Sequence, residues 1–211
     1  MLKIKEAFPN KIAGVIRSDD GQAAFHACLA AIEGGVGTVE VTTGVPDWQD
    51  IVRGLKASAD QVPVGVGTVV RPDMVADAAA AGAAFVVTPF LVPEVAEAAR
   101  QHDLLLVMGA LTPSEIYQAF HVHQANVVKV FPVAAVGGPS YLKLISGPMP
   151  GIPVWVSGGV EIEQVSEYLK LGVRAVGLTT ALFPTDAVKT GDKARITDLA
   201  RRAVSALAGV A

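Results

Sequence analysis

Across 211 residues the chain holds one cysteine, Cys28, so no intramolecular disulfide can staple the fold. Cys28 lies in an Ala-rich segment of helical period, where a thiol is ordinary structural filler. Positive charge is also scarce: the net charge is -3 and no basic stripe appears, which weighs against a nucleic-acid partner. No run of about 18 apolar residues exists, which argues against a membrane span. The segment Met1-Leu2-Lys3-Ile4-Lys5-Glu6 lacks the apolar stretch of a signal peptide, so a soluble cytoplasmic protein is the default expectation. Metal-ligand clusters are missing too. His121 and His123 have a spacing that suits a metal on a strand, but at a helix end the two side chains diverge by about 200°. With no third ligand close in sequence, no metal site is expected.

What is present is an apolar chain, 51% hydrophobic, of a size that suits one large core. Short apolar runs alternate with amphipathic stretches. Strands are expected at Ile12–Arg17, Thr38–Thr42, Val64–Gly67, Phe85–Thr88, Leu104–Met108, Val127–Phe131, Val154–Val156 and Ala175–Leu178. Helices are expected at Gln22–Glu33, Asp73–Ala81, Pro93–Gln101, Ser114–His121 and Ile162–Leu171. Asp19 or Asp20 suits an N-cap, Pro72 and Pro113 suit first turns, and Gly34, Gly82 and Gly172 suit helix ends. About eight such units, with strands apolar on both faces, predict one α/β domain over residues 1–211, a (β/α)8 barrel. An open doubly wound sheet is the second architecture.

Polar residues gather where these strands end: Arg17, Glu40 with Thr42, Thr68, Thr88 and Lys129. In a barrel, that rim is where an active site is assembled. Thr38, Glu40 and Thr42 share one strand face, with Val39 and Val41 on the other, and the Glu40 face is taken as the barrel interior. Lys129 is the most informative of them, a single amine within Val127-Val128-Lys129-Val130-Phe131-Pro132. An apolar pocket disfavours an ammonium, and neutral amine can attack a ketone to form a Schiff base. The plain alternative is a lysine at the solvent end of an edge strand.

The markers in order are Gly34-Gly35-Val36-Gly37-Thr38-Val39-Glu40-Val41-Thr42, Gly65-Val66-Gly67-Thr68-Val69, Thr88-Pro89, Thr112-Pro113-Ser114-Glu115, Val128-Lys129-Val130-Phe131-Pro132 and Ser157-Gly158-Gly159-Val160. Together they resemble the class I aldolases that cleave 2-keto-3-deoxy-6-phosphogluconate and 4-hydroxy-2-oxoglutarate, including the phosphogalactonate branch. The resemblance implies a cofactor-free lyase, with Lys129 as Schiff-base nucleophile and Glu40 as proton shuttle. It implies a small keto-acid substrate, with Pro89 and Phe131 at the site, and a homotrimer.

Arg17 ends the first strand, and its guanidinium can hold a carboxylate with two parallel hydrogen bonds. Some relatives carry an arginine four residues after the glutamate, but here that position is Gly44, so the role falls to Arg17. Thr68 could add a hydroxyl, or be only a β-branched strand end. Ser157, Gly158 and Gly159, with Thr179 and Thr180, follow the last two strands, where such barrels bind phosphate on backbone amides. Tight turns that need glycine would look the same. Thr179 replaces a common glycine and Met108 a common proline. A sugar-acid-binding paralogue with weakened catalysis is therefore one rival, and another phosphate-binding barrel enzyme is the other.

Overall fold

A computed structural model describes residues 3–210; Met1 and Leu2 of the amino-terminal segment read above lie outside that range, as does Ala211. Eight parallel strands close into a barrel in sequence order. They are β1 (Ile12–Ile16), β2 (Thr38–Thr42), β3 (Val64–Gly67), β4 (Phe85–Val87), β5 (Leu105–Ala110), β6 (Val127–Val130), β7 (Val154–Ser157) and β8 (Ala175–Leu178). The open doubly wound alternative is excluded, because β1 pairs with β8 as well as with β2.

Each strand has two buried faces that serve different cores. Val39, Val41, Val66, Met108 and Val128 point outward into the layer between barrel and helices. Ala13, Val15, Phe85, Val87, Leu105, Val107, Val127, Trp155 and Ala175 fill the interior. The lower end is closed by the chain before β1. A short helix, Ile4–Ala7, runs into Phe8, whose ring meets Phe85 and Trp155 at centroid distances of 5.3 and 5.2 Å. Thr38 Oγ1 ties this plug down by donating to Ala7 O at 2.6 Å.

Helices follow the strands as the punctuation predicts. Asp20, rather than Asp19, caps Gly21–Glu33 by accepting from the Ala23 amide. Pro72, Pro93 and Pro113 open their helices, where a missing N–H costs nothing. Two expected helices differ in detail. Ser114–His121 begins as Pro113–Tyr117 and then widens, so that His123 N donates to Gln118 O five residues back. Ile162–Leu171 is a tight turn, Ile162–Gln164, running into a helix, Val165–Lys170. Helices at Trp48–Ser58, Pro139–Ser146 and Lys193–Ser205 complete the ring. No described helix is long and apolar enough to cross a membrane.

Candidate active site

Glu40 and Lys129 come from opposite sides of the barrel and meet inside it. Glu40 lies between Val15 of β1 and Gly65 of β3, while Lys129 lies between Gly109 of β5 and Trp155 of β7. Lys129 Nζ donates to Glu40 at 3.2 Å to Oε2 and 3.4 Å to Oε1. The side chains are 4% and 0% exposed, so Lys129 is no edge-strand lysine reaching solvent. The ammonium also lies 5.6 Å from the Phe131 ring centroid and 5.4 Å from that of Trp155. Aromatic faces attract a cation, so two rings and one carboxylate share the charge.

The carboxylate fits only because β3 carries glycine beside it. A Cβ on Gly67 would come 1.8 Å from Glu40 Oε1. Gly109, the register partner of Lys129, has a comparable role: a Cβ there would lie 2.4 Å from the backbone of Pro89 and Phe90. That close approach brings Pro89 to the strand next to the lysine. Thr88 pins it, accepting from Gly109 N at 2.9 Å and donating to Phe90 O at 2.6 Å. Thr88 is thus a supporting residue that the motif Thr88-Pro89 marked without assigning its work.

The remaining rim residues differ in setting. Arg17 sits one residue beyond β1 rather than on it, exposed, with no hydrogen bond or ion pair to another described residue. Thr68 follows β3, with its backbone in the left-handed region at φ 62°. A β-branched residue there is strained, and strain of this kind clusters at functional sites. The Thr68 carbonyl accepts from Thr43 Oγ1 at 3.0 Å, while its own buried hydroxyl has no partner among the described residues. Gly158 and Gly159 turn with φ 88° and 76°, conformations open to glycine at little cost, and Gly158 O accepts from Ala134 N at 3.1 Å. Thr179 is half-buried, with its carbonyl accepting from Leu182 and Phe183, and Thr180 is exposed beside it. The Ser157 side chain differs from this turn, since it is buried in the barrel wall opposite Gly177.

Met108 is fully buried in the barrel–helix layer and faces away from Lys129. Its side chain therefore does not reach the mouth. Trp48 likewise packs into that outer layer at 8% exposure. A cavity of about 220 Å³ lined by Leu142, Ile145, Met149 and Arg174 lies before β7 and β8, at the barrel's opposite end from the Lys129 mouth. Among the described residues no three histidines, cysteines or carboxylates are grouped to hold a metal.

A closed parallel barrel with a buried lysine–glutamate pair at its mouth defines a (β/α)8 enzyme. Comparison with known proteins gives the particular kind. The family model described as "KDPG and KHG aldolase" matches residues 3–199, and the chain belongs to that family. It is 32% identical over 200 residues to the 2-dehydro-3-deoxy-phosphogluconate aldolase of Pseudoalteromonas atlantica, covering 94% of this chain and 92% of that one. It is 34% identical to the KHG/KDPG aldolase of Escherichia coli over 83% of this chain and 82% of the relative. The KDPG aldolase of Legionella pneumophila, crystallised with pyruvate captured as a covalent carbinolamine, superposes with a TM-score of 0.84 at 29% identity, covering 94% and 95% of the two chains. The protein is an aldolase, a carbon–carbon lyase.

Proposed function

We propose that the enzyme reversibly cleaves a 2-keto-3-deoxy-6-phospho sugar acid to pyruvate and glyceraldehyde 3-phosphate through a Schiff base on Lys129. One observation carries this reading: a buried amine within hydrogen-bond distance of a single buried carboxylate. Glu40 takes a proton from Lys129, and the neutral amine adds to the substrate's C2 carbonyl. Glu40 returns a proton to the carbinolamine hydroxyl, which leaves as water, and the iminium forms. Glu40, again a carboxylate, takes the C4 hydroxyl proton as the C3–C4 bond breaks and the aldehyde leaves, while the electron pair enters the iminium as an enamine. Protonation of the enamine carbon and hydrolysis by water then give pyruvate and free Lys129. No cofactor is needed, because the iminium is itself the electron sink.

Arg17 and the Thr68 hydroxyl are assigned to the keto acid's carboxylate. The free guanidinium and the unpartnered, strained threonine both support that role. Pro89 and Phe131 flank the reacting carbons. Ser157, Gly158, Gly159, Thr179 and Thr180 are assigned to the phosphate side, where turns after β7 and β8 present backbone amides. Reduction with borohydride in the presence of pyruvate, followed by intact mass and peptide mapping, tests the core of this reading. A reduced pyruvyl adduct on Lys129 is expected, and no adduct at saturating pyruvate refutes it. Equal kcat/KM for phosphorylated and dephosphorylated substrate, without inhibition by inorganic phosphate, would instead favour 4-hydroxy-2-oxoglutarate.

The active form is proposed to be a homotrimer. That reading follows the family resemblance, and Phe90, Tyr117, Val122 and Leu144, 54–76% exposed, are apolar side chains that an interface would cover. Light scattering at micromolar concentration is expected to give three chain masses, and a monomer mass refutes it.

A further inference from the structure

Trp155 lies wholly inside the barrel, beside Lys129 in the register of β6 and β7. Its ring packs on Phe8 and Phe85 below and faces the lysine amine. Its Nε1–H is buried and makes no hydrogen bond to another described residue. The hydroxyl of Ser157, the next inward residue of β7, is buried and unpartnered too. These two atoms flank one point. A Cβ on Gly177 would stand 2.3 Å from Nε1 and 3.0 Å from Oγ. A buried polar group left unsatisfied destabilises the fold, and a phenylalanine would pack here without that cost. Two such groups side by side, next to the lysine, need an account.

We propose that Trp155 is a positioning residue for the aldol cleavage and acts through Ser157. An indole N–H can only donate, whereas a hydroxyl has one proton and two lone pairs. The two groups do not bond each other in the structure, and a turn of Ser157 Oγ to accept from Nε1 leaves its own proton to donate into the mouth. The acceptor is an oxygen of the bound sugar acid, either a hydroxyl or a phosphoryl oxygen. Trp155 thereby fixes a rotor that would otherwise spread its proton over several directions. The inference rests on the Lys129 mouth being the active site, as proposed above.

Trp155→Phe keeps the ring and removes the donor. One neutral hydrogen bond is worth about 0.5–1.5 kcal/mol, or roughly 2- to 13-fold in kcat/KM. That loss is expected for Trp155→Phe and at least as much for Ser157→Ala, and the double variant should match Ser157→Ala alone. Wild-type kcat/KM in Trp155→Phe, or penalties that multiply in the double variant, overturns the proposal. Penalties that persist on 2-keto-3-deoxygluconate assign the acceptor to a hydroxyl. Penalties confined to the phosphorylated substrate assign it to the phosphate, and both results support the proposal.

A second readout does not depend on activity or on the folding of Trp155→Phe. The chain has two tryptophans, and the Trp155 indole signal is the one that survives in Trp48→Phe. In a nitrogen–proton NMR spectrum it should move upfield when Ser157 becomes alanine, and an unmoved signal overturns the proposal. Borohydride trapping of pyruvate in every variant keeps the two readings separate. Trapping without coupling refutes the Trp155–Ser157 link alone, whereas an untrapped wild type refutes the Lys129 reading.

Discussion

Replacing Lys129 with methionine isolates what the buried ion pair does for the fold. At 3.2 Å the gross attraction is roughly 5 kcal/mol at an effective dielectric constant of 20. Taking each ion out of water costs several kcal/mol, so the intact pair nets close to zero. Its halves are not neutral, however. With the amine gone, Glu40 remains fully buried without a counter-charge, and losing one partner of such a pair costs about 3–5 kcal/mol. A domain of ordinary stability, about 5–15 kcal/mol, survives this but is visibly weakened. With a urea dependence of about 2–3 kcal/mol per molar, the unfolding midpoint of Lys129→Met should fall by about 1–2.5 M. Adding Glu40→Gln should recover most of that loss, because a neutral amide replaces the stranded carboxylate. Both variants should fail to trap pyruvate. A midpoint equal to wild type at pH 7.5 would show that Glu40 is not desolvated as described. A double variant as weak as the single one would assign the loss to packing.

Glu40→Gln alone should still form some pyruvyl adduct but slow hydrogen–deuterium exchange at the pyruvate methyl group, since the amide cannot accept the proton; unchanged exchange by NMR would make Glu40 structural. Gly67→Ala forces a methyl to within 1.8 Å of Glu40 Oε1, so aldolase activity should fall well over tenfold, and retained turnover would contradict this placement of the carboxylate. Burial pushes the Cys28 thiol up to about 12, so the thiolate that reacts with disulfide reagents is absent at pH 8. Native protein should therefore resist dithiobis(nitrobenzoate) until urea exposes Cys28, and prompt labelling in buffer would argue against its buried position.

Much of this architecture is legible because polar residues break the symmetry of strands that are buried on both faces. In β2 the glutamate decides which alternating set is interior, and Glu40 does point inward, with Val39 and Val41 outward. Strand ends were less legible: β1 stops at Ile16, which moves Arg17 off the sheet, and β5 runs on to Ala110. Hydrogen-bond pairing with neighbours distant in the chain sets those limits, and periodicity does not register it. The strain at Thr68 is equally silent, since threonine gives no warning of a left-handed backbone. Gly67 reads as a motif glycine and Gly177 as one residue of a strand, yet each is needed because a side chain from another strand occupies its space.

Trp155 is the instructive omission. In an apolar run such as Val154-Trp155-Val156, period-two alternation separates two faces without naming the inner one. Ser157 supplies the missing sign. A hydroxyl at the mouth end of β7 belongs on the interior face, and the residue two positions earlier must share that face. The same step that placed Glu40 therefore places an indole beneath Ser157, and the strand register sets it beside Lys129. A large aromatic with a polar edge, set where phenylalanine would fill the space, then calls for a partner to its N–H.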